Sequence, residues 1–381
     1  MSQNQRRGNC CIRDVKKPIR NSIALVLLVS SVLIFRPSSS FAGGKYLAYD
    51  LGFGGAYDIN LARTVTGTST GSGLQRAFSY SGGVMTDLGV LPGTDSSIGY
   101  AINEFDNVAG VSFSSDGSGG YPQGFRYKID TMAEVGSLGF HTFANDINDA
   151  GVVVGESVKN TAYFPSRAFA VVGGVLTDLG TLGGLNSAAA GINNQGVIVG
   201  WADNSSAITR AFRYSDGVMS DLGSLEAGGS SHASDINDSG LVVGCASLAG
   251  HDRAFVSSGG GMTMLGTLGG ANSLANAVNL YGVIVGNADT GTSETHAFVY
   301  NDGVMTDLAP FLSTLGITGF SEALGINELG DIVGSGEDAL GQRHAFLLIA
   351  VPEPSVAALV IAGLAGSAIF SRRLRLGVCW R

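Results

Sequence analysis

GINNQGVIVGWA, residues 191–202, returns as DINDSGLVVGCA at 235–246, and again as DINDAGVVVGES at 146–157, AVNLYGVIVGNA at 277–288 and GINELGDIVGSG at 325–336. Two looser copies, DINLARTVTGTS from Asp58 and AINEFDNVAGVS from Ala101, come first. Measured on Asn60, Asn103, Asn148, Asn193, Asn237, Asn279 and Asn327, the copies lie 43, 45, 45, 44, 42 and 48 residues apart. In INxxG the Asn suits the first corner of a four-residue turn, because its side chain can stand in for a backbone acceptor. The Gly at the fourth corner accepts positive φ; Arg63 and Asp106 stand in its place in the first two copies. The IN strand is therefore expected to fold back into the VVG strand.

Two further columns complete the unit. An Ala-Phe or Gly-Phe pair recurs at Phe78, Phe125, Phe169, Phe212, Phe255, Phe298 and Phe346, within segments that alternate bulky and small residues. SDG, NDG or SGG then supplies hairpin residues before an arm such as GVMTDLG (83–89) or GVMSDLG (217–223). Each unit thus predicts four short strands, and four-stranded antiparallel units of about 40–50 residues in tandem are the mark of propeller blades. The last HAF strand, ending near Ala350, has no DLG arm after it, while YLAYDLG (46–52) is a DLG arm with no Ala-Phe strand before it. Pairing the two closes a circle and removes two exposed sheet edges. Residues 43–350 are therefore expected to form an all-β, seven-bladed β-propeller closed by an N-terminal strand.

The flanks carry export signals. Residues 1–42 hold a basic stretch, the apolar run SIALVLLVSSVLIF (22–35) and the small residues Ser40 and Ala42, the pattern of a signal peptide cleaved after Ala42. The central region holds 11 of the 22 Lys and Arg but 29 of the 31 Asp and Glu, which leaves it at -18 and excludes nucleic acid and anionic lipid as partners. With Cys10 and Cys11 in the signal and Cys379 in the tail, only Cys245 remains, so no disulfide can hold the fold.

The AFxYxxGxMxDLG and INxxGxVVGxA patterns, with His296 and His344 heading HAF, resemble the HAF-repeat family of predicted extracellular bacterial proteins over nearly all of 46–350. That resemblance implies secretion and a repetitive β-fold, and no reaction. VPEPS (351–355), an apolar run from Val356 to Phe370 and the basic SRRLR (371–375) resemble a PEP-CTERM sorting tail; LGVCWR (376–381) extends beyond it. Pro352, Glu353 and Pro354 carry the match, and Arg372 and Arg373 would hold the tail's end on the cytoplasmic side. The 15-residue run is shorter than the roughly 20 residues of a comfortable membrane span, which suits a transient transmembrane helix. The resemblance implies recognition by an exosortase and delivery to the outside or outer surface of a Gram-negative bacterium, after temporary anchoring in the inner membrane.

Chemistry is sparse between the flanks. The five histidines show no metal-ligand spacing, and no nucleophile elbow, Walker loop or paired-Cys pattern occurs. No catalytic, cofactor or metal residue is assigned. The acidic DIND turns at 146–149 and 235–238 offer oxygens to Ca2+, but short Asp and Asn side chains also serve turns for backbone reasons. The residue before Ala-Phe is basic in six copies: Arg76, Arg167, Arg210, Arg253, His296 and His344. A ring of cations could grip an acidic polysaccharide; the simpler expectation is that each pairs with the Asp of its DLG arm across the hairpin. Trp201 could stack on a sugar or join the core. The expected function is a secreted binding or structural component of the surface or extracellular polysaccharide layer; the alternative is a lyase or glycosidase on the same scaffold.

Overall fold

Each INxxG segment folds as the turn its residues require. Gly196 N donates to Asn193 O at 3.0 Å, and Gly196 sits at φ 78°. Arg63 and Asp106 take up the same left-handed corner, at φ 64° and 57°, so the first two copies keep the turn without the glycine. The Asn side chain acts as the acceptor expected of it: in all seven copies Oδ1 receives the N–H four residues on, at 2.9–3.0 Å.

The computed structural model describes residues 45–351, apart from 72, 118–119, 161–162 and 260. Its chain begins with a long strand, β1 (Lys45–Ile59), followed by β2 (Val65–Ser69), β3 (Arg76–Ser81) and β4 (Val84–Asp87). The same four-strand meander then recurs, giving five separate four-stranded antiparallel sheets and one seven-stranded sheet. The larger sheet is two blades joined through β1. Lys45–Phe53 pairs with the last strand, Arg343–Val351, and Gly54–Ile59 pairs with β2. Divided at that point, the described residues form seven four-stranded units, and the N-terminal segment supplies the outer strand of the seventh. Innermost strands pack in succession around the axis, and that of the seventh blade packs on β1. The fold is an all-β propeller closed by its N-terminal strand, as the orphan DLG arm implied.

Burial explains why the columns repeat. The seven Phe of the Ala-Phe pairs are at most 1% exposed and sit in successive hydrophobic clusters between blades. Beneath each ring runs the Gly of the VVG strand; a Cβ on Gly110 would lie 2.0 Å from Ile98 O and 2.7 Å from the Phe125 ring. A single helical insertion among the described residues, Ala309–Leu312 with a 3-10 turn at Ser313–Leu315, accounts for the 48-residue interval before Asn327. Its Phe311 meets Tyr46 of β1 edge-on at 5.2 Å. No helix of the described residues is long and apolar enough to cross a membrane.

Candidate functional site

The turn end of the propeller is built as a closed hydrogen-bonded ring. Asn60 Nδ2 donates to Asn103 O, Asn103 to Asn148 O, and so on through Asn193, Asn237, Asn279 and Asn327, whose Nδ2 returns to Asn60 O; the seven distances run from 2.7 to 3.2 Å. All seven Asn are buried. The residue after each Asn forms a second circuit: the N–H of Leu61 is received by Glu104, that of Glu104 by Asp149, that of Asp149 by Asn194 and that of Asn194 by Asp238. Leu280 N–H likewise reaches Glu328. The circuit breaks where the next blade offers Leu61 or Leu280, which have no acceptor. These acids surround an axial recess of about 170 Å³.

Asp58, Asp146 and Asp235, two residues before the Asn in the first, third and fifth blades, each accept their neighbour's N–H and an N–H of the following blade, from Ile102, Ile192 and Val278. Their counterparts are Ala101, Gly191, Ala277 and Gly325; a Cβ on Gly325 would come within 2.9 Å of the Asp58 Cα. Acid and small residue thus alternate until the odd seventh blade. Burial pushes the Asp58 carboxyl up to about 7 and that of Asp235 to about 6, against the N–H bonds that favour the charged form. Burial and the charges of the other two hold Asp146 well above the usual range. In both DIND turns the first Asp accepts two backbone N–H groups, and the last, Asp149 or Asp238, accepts one backbone N–H and one from Asn194 Nδ2. Among the described residues no group of three or more His, Cys, Asp or Glu is arranged to hold a metal ion.

The basic column pairs across the hairpin in four blades. Arg76 meets Asp87 at 3.4 Å, Arg210 meets Asp221 at 3.9 Å, and His296 meets Asp307 at 2.9 Å. His344 meets Asp50 of the N-terminal arm at 3.1 Å, so the closing strand completes the column. In the third blade Lys159 takes Asp178, at 2.9 Å. The other oxygen of each DLG Asp receives the N–H two residues on, as Gly223 donates to Asp221 at 2.7 Å. These side chains are engaged by the scaffold, and Arg210 Nη1 is bound to Gly229 O besides.

The opposite end of the strands differs from blade to blade. Facing the residue after the VVG glycine are Gly55, Ile98, Phe143, Ala188, His232, Leu274 and Glu322. Gly55 is the smallest, and a cleft of about 500 Å³ opens beside it at the seam where the seventh blade meets the first. Its walls include Phe53, Tyr57, Thr68, Gln75, Gln342 and Arg343. Phe53 is 47% exposed and rests against His344 at 4.8 Å; Tyr57 meets Tyr100 edge-on at 5.7 Å. Arg343 is the cleft's charged residue. Its Nε and Nη2 donate to Ser335 Oγ at 2.9 and 2.6 Å, and Nη2 also to Glu322. On the turn side the same seam is stapled by Arg63, whose Nε donates to the fully buried Asp331 at 2.8 Å.

On the cleft's face of the second and third blades, Phe140 packs edge-on with Tyr121 at 4.7 Å and with Phe164 at 5.4 Å. Phe164 holds φ 47°, a strained conformation for a bulky residue, while 58% exposed. Trp201 is half-buried against His232, 6.0 Å away in the next blade, and is a packing residue. The adjacent Cys245 thiol is pushed up to about 11 by burial, away from the thiolate form a nucleophile needs.

The sorting residues Ala42, Pro352, Glu353, Pro354, Arg372 and Arg373, and the apolar run 356–370, lie outside the described residues. The sequence reading missed both the cross-blade use of the Asn carboxamide and the seam cleft. A signal for the cleft was present, since the residue after the VVG glycine is Thr68, Val111, Glu156, Trp201, Cys245, Asn287 or Ser335, different in every copy of an otherwise repetitive strand.

No family model and no curated protein matches the chain. Solved structures with a similar course include the β-propeller domain of the Trilobed protease from Pyrococcus furiosus (TM-score 0.48, 10% identity, 79% of this chain and 94% of that one). Two others are a gluconolactonase from Xanthomonas campestris (0.42, 12%, 81% and 91%) and an Aleuria aurantia lectin in complex with Fucα1-6GlcNAc (0.40, 11%, 69% and 96%).

Proposed function

We propose that the protein is a secreted, non-enzymatic propeller of the HAF-repeat type, sorted through a PEP-CTERM tail, that binds polysaccharide at the cell surface through the seam cleft. The observation that carries this reading is the cleft itself. One seam of seven combines a missing side chain at Gly55, two aromatic rings and planar amide and guanidinium groups, in a volume typical of small-ligand sites. Aromatic faces and paired polar groups are what a sugar's apolar ring face and vicinal hydroxyls require.

The chain ends support the orientation such a role needs. Lys45 and Val351 pair with each other beyond the turn end of the seventh blade, where Ala350 N donates to Asp331. A tether at Val351 would therefore leave the cleft on the far face, turned away from whatever holds the tail. A glycan array probed with the full mature chain tests the function: bound glycans are expected, and a Phe53→Ala, Gln75→Ala double variant should lose them. Release of shorter products from any bound polymer would instead make the protein a carbohydrate-active enzyme. Mass spectrometry of the protein from its native host tests the sorting, for which loss of residues 1–42 is not enough; the segment beyond Pro352 must also be gone.

A further inference from the structure

We infer that the seam cleft selects uncharged glycans and rejects those built from uronic acids. The inference rests on the glycan-binding reading above and adds the chemical class. Arg343, the charged residue in the cleft wall, is the group an acidic sugar would seek, yet its Nε and Nη2 edges are already taken by Ser335 and by the carboxylate of Glu322. Glu322 is in turn fixed by Ser335 Oγ at 3.0 Å and its side chain is only 18% exposed, so the acid is a built-in partner of the wall's Arg343. A uronate could reach the guanidinium only by displacing that carboxylate or by lying beside it, and a second negative charge there is repelled. Asp338 stands close by, with His344 Nε2 at 3.5 Å, and the central region as a whole carries the -18 already noted.

Glu322 is specific to this seam. The six positions equivalent to it are Gly55, Ile98, Phe143, Ala188, His232 and Leu274, none of them acidic. The basic column offers no substitute: none of its members lines the cleft, and Arg76, Arg210, His296 and His344 are paired with DLG carboxylates. What remains to a ligand is hydrogen bonding from Gln75, Gln342 and the Nη1 of the charge-paired Arg343, with the rings of Phe53 and Tyr57, a surface matched to hydroxyls and C–H faces rather than to net charge.

Calorimetric titration of the full mature chain separates the possibilities, using neutral oligosaccharides of glucose, galactose, mannose and fucose beside size-matched oligogalacturonates. Neutral sugars are expected to bind at least about tenfold more tightly than the uronates. Their affinity should hold between about 0.05 and about 0.5 M salt, since no net charge is neutralised. Glu322→Gln frees the guanidinium and should raise oligogalacturonate affinity about tenfold or more, with a salt dependence the parent protein lacks. Tighter uronate binding by the parent protein, or no gain in Glu322→Gln, overturns the selectivity. If neither class binds, or if binding survives intact in Phe53→Ala and Gln75→Ala, the cleft is no glycan site and the broader reading falls with it.

Discussion

Asn193 shows how much one side chain of the repeat does. Its Oδ1 closes its own turn through Val197 N–H at 2.9 Å, while its Nδ2 reaches Asn237 O in the next blade at 3.1 Å. The first role was legible, because Asn at a turn's first corner has a local purpose that spacing reveals. The second was not, since nothing in a linear pattern says that a carbonyl 44 residues away lies within reach. Asn193→Ala leaves the buried Val197 N–H unsatisfied, at a cost of about 1–3 kcal/mol, and takes from Asn237 O one of its two donors, the Gly240 N–H remaining. Urea denaturation should record that loss, against a change within about 0.5 kcal/mol for the exposed Ser206→Ala.

The strand pairs explain why some columns tolerate no change. Gly200 lies in ordinary extended backbone, yet a Cβ there would sit 2.1 Å from Ala188 O, so Gly200→Ala must push two strands apart. Overpacking of this kind costs about 1–3 kcal/mol, which should appear as an earlier thermal transition. In the next hairpin, Arg210 joins Asp221 and Gly229 O with its side chain 14% exposed. Arg210→Ala is expected to lower stability while leaving any glycan affinity where it was; a folded variant that lost its ligand would return the basic column to the binding surface. The pairing of base and acid across the hairpin could be read from the DLG motif, because both residues repeat. Lys159 taking the place of Arg167 opposite Asp178 could not, because a long side chain from a neighbouring strand competes only once the sheet is built.

Closure governs the molecule's stability and its response to pH. β1 contributes its first half to the seventh blade and its second half to the first, with Asp50 meeting His344 within the seventh blade and Arg63 meeting Asp331 across the seam. Removal of residues 46–52 would expose the edge of the Arg343–Val351 strand and unpair the His344 column. The truncated protein should unfold at lower temperature and yield to protease at the seventh blade. The three half-buried Asp contribute to the pH dependence. The folded protein holds their protons more tightly than the unfolded chain, with Asp58 at about 7 and Asp235 at about 6. Their contribution is therefore full below the ordinary carboxylate range and is lost as pH rises through about 6 to about 7. Urea midpoints should fall between about pH 4 and about pH 7.5, and Asp58→Asn with Asp235→Asn should flatten that slope.

The number of repeats, their four-strand content, the recurring Phe column and the identity of the closing strand all followed from residue order, because turns, hairpins and alternation are local physics that the chain spells out sevenfold. The Asn ring, the alternation of Asp58, Asp146 and Asp235 with small residues, and the cleft beside Gly55 depend on which residues of different blades become neighbours once the circle closes. Those neighbours are more than 40 positions apart, or, for Arg343 and Gly55, at nearly opposite ends of the folded chain. Only the curvature that brings the seventh blade to the first puts Gln75, Arg343 and Tyr57 around one space, and a single strand's sequence carries no record of that curvature.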